Sequence, residues 1–203
     1  VTQDADAKTS EPAEETDGRR RRGQDNRARI VSAMLEIIRA GDMSPSAEQV
    51  AARADVGLRT VFRHFKDMDS LYREMSVVIE SELRAIVDAP FRSTHWQDRI
   101  VELVDRRAVA FEKIFPFKRA SETFRHRSRF LDGDSDRLVI ALRAILEREL
   151  PAEVTSDPIK VEALDLLLSF EAWSRLRREQ GLEIAQAVEV LRTAVRRTLD
   201  DAR

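Results

Sequence analysis

Apolar positions recur every three or four residues from about residue 25 to the end of the chain, with no sustained alternation. Side chains at that spacing share one face of a helix, so the pattern predicts a succession of amphipathic helices. Ile30, Met34 and Ile37/Ile38 mark a first helix over roughly 25–40, stopped by Gly41. Ser46-Ala-Glu-Gln49 has the form of a capping box and opens a short second helix carrying Val50, Ala51 and Ala54. Asp55-Val56-Gly57 breaks it, and a third short helix runs from Leu58 to Phe65, with Leu58, Val61 and Phe65 on its inner face. Asp67 caps a long fourth helix whose stripe includes Leu71, Met75, Ile79, Leu83 and Ile86.

The second half continues in the same style. A fifth helix reaches about Phe115, Pro116 stands where a sixth would begin, and a seventh is capped by Asp134 and closed by Pro151. Asp157-Pro158 combines an N-cap with proline at the first helical position, opening an eighth helix that Gly181 ends. Its apolar residues are too many for one buried face. Ile184, Val188, Leu191, Val195 and Leu199 stripe a ninth. Nine helices and no strand give an all-α fold class.

Composition narrows the chemistry. With no Cys, disulfides, thiolate catalysis and zinc–thiolate sites are excluded. No apolar run approaches the ~20 residues of a membrane span. The net charge of −2 is a cancellation: residues 1–18 carry −5, residues 19–66 carry +6 and the remainder −3. Residues 1–18 are too polar to offset the entropy of ordering and read as a disordered acidic tail without a secretory h-region, which predicts a cytoplasmic protein. Arg19, Arg20, Arg21 and Arg22 add a basic arm, so that 1–22 is a tail, 23–66 a basic head, and 67–203 a linker helix with a second domain.

Two short helices joined by a three-residue turn have the shape of a helix-turn-helix. The outer side of its second helix gathers Arg59, Phe62, Arg63 and Lys66. Guanidinium forks suit guanine edges and phosphates, and a ring packs on a thymine methyl. A solvated basic face is the alternative, and these residues alone leave both open. The run from Ala54 to Leu71 resembles the DNA-binding signature of the TetR family of bacterial transcriptional regulators, together with the Ser46-capped helix before it. That resemblance implies major-groove roles for Arg59 and Arg63 and phosphate contacts from Thr60 and His64, with Ser46 also at the DNA interface. It also implies a homodimer, a small-molecule effector and a pseudo-palindromic double-stranded DNA operator. Phe62 stands where the family usually has a tyrosine, Met68 where a lysine is common, and Asp55 where the turn glycine is usual.

In the second domain, Trp96, Phe111, Phe115, Phe117, Phe124, Phe130, Phe170 and Trp173 form an aromatic cluster expected to line an apolar pocket, with Arg107, Glu122 and His126 orienting a ligand. A packed aromatic core is the alternative reading of each ring. The surplus apolar surface of the last two helices predicts a dimer face that includes Leu164, Leu168, Ala172, Val188, Leu191 and Val195. Three widely spaced histidines offer no metal spacing, and no catalytic or nucleotide-binding motif appears. The expectation is a ligand-responsive DNA-binding regulator, a repressor rather than an enzyme, without cofactor or metal. A dimeric small-molecule-binding protein with weak or lost DNA binding is the other reading, suggested by Phe62 and Met68.

Overall fold

A computed structural model describes residues 12–124 and 129–200, with side chains over 23–123 and 136–200. Among these residues the chain is all-α, with ten α-helices and no strand. It divides into two compact units, Val1–Leu71 and Tyr72–Arg203.

In the first unit, α1 spans Pro12–Arg39 and so starts well before Asp25, where the apolar period begins. Residues 1–11 of the expected tail lie outside the described residues. α1 ends in a Schellman motif: Gly41 adopts φ 104°, its N–H bonds Ile38 and the Asp42 N–H bonds Ile37. α2 (Ala47–Arg53) has the complete capping box between Ser46 and Gln49, and α3 spans Leu58–His64. The core comprises Ile30, Met34 and Ile38 of α1 with Val50, Val61 and Phe65. Leu58, expected among the core anchors, is 37% exposed: it occupies the first position of α3, where the helix has only begun to pack. α4 (Met68–Val87) is capped by Asp67, whose carboxylate accepts from the Ser70 N–H at 2.8 Å, and carries the chain into the second unit.

The second unit is built around α5 (Trp96–Phe124), with α6 (Arg129–Glu149) and α10 (Ile184–Asp200) packed against it. Between them lie α7 (Ala152–Thr155), α8 (Pro158–Leu167), α9 (Phe170–Ser174) and one wider π-type turn over Arg175–Glu179. Pro116 does not start a helix but sits inside α5. A proline there costs roughly 3 kcal/mol through its missing N–H and its ring. Burial of Ile114, Phe117 and Ala120 around it outweighs that cost. α6 begins at Arg129, so Asp134 is inside it rather than its cap.

The eighth helix of the sequence pattern is broken. Ser169 accepts from the Ala172 N–H at 3.1 Å and donates to the Leu166 carbonyl at 2.8 Å, ending α8 and capping α9. Its wide apolar surface is thus divided between short segments, and Leu164, Leu168, Phe170 and Trp173 are all buried. Ala187, Leu191, Val195 and Leu199 form the buried stripe of α10.

Because tertiary burial rather than propensity holds α5 together at Pro116, Pro116→Ala is expected to stabilise the protein by about 1–3 kcal/mol. Chemical denaturation of the two proteins checks this. A loss of stability would mean that the packing needs the proline.

Candidate functional site

The head's outer surface follows from how α2 and α3 are joined. At the end of α2 the Asp55 N–H bonds Ala52 at 3.2 Å and the Val56 N–H bonds Ala51 at 3.0 Å, a second Schellman motif. Its left-handed position is Asp55, at φ 52°, one of the few residues other than glycine that tolerate that region. Arg29 of α1 supports the turn by donating to the carbonyls of Ala54 (2.6 Å) and Asp55 (3.2 Å). Two residues earlier, Arg27 donates to the His64 carbonyl at the end of α3 and lies 4.5 Å from the Phe65 ring centroid. The sequence reading had no role for either arginine. Their signal is tertiary, since each caps a helix remote in sequence.

With its ends so fixed, α3 buries Val61 and presents Arg59, Phe62 and Arg63 to solvent, while Lys66, expected on the same helix face, is exposed in the turn that follows it. Phe62 is 49% exposed, an aromatic ring between two arginines that no core contact requires. Thr60 and His64 are half-buried at the edges of this face. Ser46 is spent on its capping bonds with Gln49. Arg19, Arg20, Arg21 and Arg22 belong to α1, and their side chains lie outside those described. Burial, then the neighbouring Arg63 and Arg27, hold the His64 imidazole below its ordinary pKa, and its Nε2 is buried without a hydrogen-bond partner.

The second unit contains a cavity of about 330 Å³. Met75, Ile79 and Leu83 of α4, Ile114 and Phe117 of α5 and Leu138 of α6 form its apolar walls. Ser76, Glu80, Lys118, Ser121 and Arg137 add polar groups. Of the expected aromatic residues with described side chains, Phe117 lines it, and Trp96, Phe111, Phe115, Phe170 and Trp173 do not. Phe111, Phe170 and Trp173 are core residues: Phe111 meets Phe170 edge-on at 5.5 Å, Phe115 lies 5.8 Å from Phe170, and Trp173 donates to Glu112 at 3.0 Å. Trp96 is half-buried at the start of α5. Phe124, His126 and Phe130 fall outside the described side chains. Arg107 is buried, but its guanidinium is held by the Leu168 and Leu142 carbonyls. The aliphatic walls were visible in the sequence only as the stripe of α4, indistinguishable there from a core face.

The residues expected at a dimer face divide by burial. Leu164, Leu168, Leu191 and Val195 are buried within the chain itself, where α8 and α10 pack, and Ala172 and Val188 are half-buried. The large apolar side chains left outward on these helices are Ile159 (82% exposed), Leu166 (66%), Ile184 and Val190.

No family model matches the chain, and no curated protein matches it. Among solved structures, the chain is similar to the multidrug binding protein EbrR complexed with imidazole. The TM-score is 0.60 at 21% sequence identity, covering 83% of this chain and 88% of that one. At that identity the likeness is one of fold. The all-helical, TetR-like architecture expected from the sequence is the fold of this chain.

Asp55→Val is expected to lower stability by about 1–2 kcal/mol, because a β-branched residue resists the left-handed region, whereas Asp55→Gly should not. Urea titrations distinguish them; equal losses would assign the effect to the carboxylate instead. For His64, a depressed pKa in the folded state means that the unfolded chain binds more protons below about pH 6.5. Stability should therefore fall as pH drops through that value. The drop in Tm between pH 7.5 and 5.5 should be smaller in His64→Gln, and an unchanged drop would contradict the assignment.

Proposed function

We propose that the protein is a ligand-responsive transcriptional regulator of the TetR type, binding double-stranded DNA as a homodimer and acting in the cytoplasm as a repressor. The observation that carries this reading is the α2–turn–α3 unit, whose ends are fixed from inside while Arg59, Phe62, Arg63 and Lys66 face outward. Scaffold and exposed cationic surface on one short helix are what major-groove reading requires. Arg59 and Arg63 are the base readers, Thr60 and His64 the phosphate contacts, and Lys66 supplies the charge that Met68 does not. The arm of Arg19 to Arg22 adds attraction to the phosphate backbone.

The effector is a small, largely apolar molecule held in the cavity between α4, α5 and α6. A pocket of that size and polarity suits a drug-sized ligand. Met75, Ile79 and Leu83 belong to the helix that is covalently continuous with the head, so a ligand that displaces α4 biases the head's position. The coupling needed is on the order of 1–3 kcal/mol. Ile159, Leu166, Ile184 and Val190 are the surface offered to a second copy, and a twofold pair of heads would sit about 34 Å apart on a pseudo-palindromic site. On this reading the protein binds DNA and an effector rather than catalysing a reaction.

A second reading, a dimeric small-molecule-binding protein with weak DNA affinity, is favoured by one observation. Phe62 presents no hydroxyl where the resemblance implies a phosphate contact.

Gel-shift titrations against the DNA upstream of its own coding region separate the two. Affinity is expected to fall steeply with salt and to drop about tenfold or more in Arg59→Ala and Arg63→Ala. Binding no tighter than to random DNA would support the second reading and sink the first.

A further inference from the structure

A second, smaller cleft of about 40 Å³ opens at the C-terminal end of α4, and no residue lines both it and the larger cavity. Its walls are apolar, including Ile86, Phe91, Leu103, Ala110 and Leu142, and they are joined by three arginines, Arg106, Arg107 and Arg148, with no acidic residue in the lining. The three arginines differ in what occupies them. Arg106 is neutralised by Glu102 at 2.9 Å, donates to the carbonyls of Ala89 and Pro90, and stacks 3.9 Å from the Phe91 centroid. Arg148 reaches Glu149 at 3.2 Å but remains largely exposed.

Arg107 is the exception. Only 5% of it is accessible, and its donors go to neutral acceptors, the carbonyls of Leu168 (2.5 Å) and Leu142 (2.6 Å). Its Nε is buried with no partner. Asp165 acts on it through space but makes no hydrogen bond to it, and burial pulls its pKa down to about 10. A buried cation with an unmet N–H carries a desolvation cost that carbonyl dipoles offset only in part.

We propose that this cleft binds a small carboxylate, drawn by the Arg107 charge that no acid hydrogen-bonds and hydrogen-bonded by the exposed Arg148 guanidinium, while a short apolar tail lies along Phe91 and Leu103. The head supplies the negative charge that the lining lacks, and charge-assisted hydrogen bonds to a guanidinium are the strong ones. A cleft this small suits a short-chain acid rather than a drug-sized ligand. An inorganic anion would satisfy the arginines but leave the apolar walls unused.

Isothermal titration and thermal-shift measurements on the full chain with sodium butyrate, 1-butanol and sodium chloride at matched ionic strength test the assignment. Butyrate should bind and raise Tm, while butanol and chloride bind at least about tenfold more weakly. Arg107→Met removes carbonyl bonds that hold three helices and risks unfolding, so two other variants carry the test. Ala110→Leu fills the cleft, and Arg148→Met removes an exposed guanidinium without touching Arg107. Each should weaken butyrate about tenfold. Equal binding of butanol overturns the role of the arginines, and equal binding of chloride overturns the carboxylate. Absence of butyrate binding, or unchanged affinity in both variants, overturns the site.

Discussion

A helix that ends against other protein leaves carbonyl oxygens needing donors. In the head those needs are met from one neighbouring helix. Arg29 serves the last carbonyls at the α2 end and Arg27 serves the α3 end, while the Arg27 guanidinium also stacks on Phe65. Everything outward on α3 depends on these two contacts, because they fix where a helix of only seven residues starts and stops. An isolated helix of that length would not persist in water. Part of the basic charge of the head is therefore structural. Arg53 is likewise paired with Glu36 at 2.7 Å, although an exposed pair of that kind contributes little to stability.

The second unit is organised differently. Its apolar core lies along α5, and polar ties secure the periphery: Arg143 joins Glu147, Glu162 and Asp165; Glu112 joins Trp173 and Arg177; Asp105 joins Arg192. Such ties hold helices in place without demanding continuous apolar contact between them. Val139 and Ile140 of α6 remain exposed, and the cavity opens where α6 meets α4 and α5. A wholly close-packed unit would lose dispersion contacts by retaining such a volume. Ionic edges allow one to persist.

What the sequence disclosed divides along the same line. The cap of Ser46 with Gln49, the caps at Asp67 and Asp157, and the left-handed Asp55 were all legible, because each depends on residues within four positions of one another. Pro116 inside α5 and the break at Ser169 were not. Both are decided by burial of residues whose partners lie on other helices, which overrides a local breaker in one case and interrupts an apolar pattern in the other. The aromatic cluster misled for a related reason: ring density signals apolar volume, not whether that volume is filled. Phe111, Phe170 and Trp173 fill it. Met75, Ile79 and Leu83 bound the cavity and look in sequence like any other helical stripe.

The division of labour within the head bears on how such a protein diverges. Arg27, Arg29, Val61 and Phe65 are constrained by the folded state, whereas Arg59, Phe62 and Arg63 on α3 and Lys66 just after it are exposed. Surface substitutions of that kind usually change stability by less than about 0.5 kcal/mol. On the proposed reading, duplicated copies of this gene can exchange outer residues singly, each step altering the preferred base sequence while the head stays folded. Recognition can drift by neutral increments, and the frame that carries it does not have to be rebuilt.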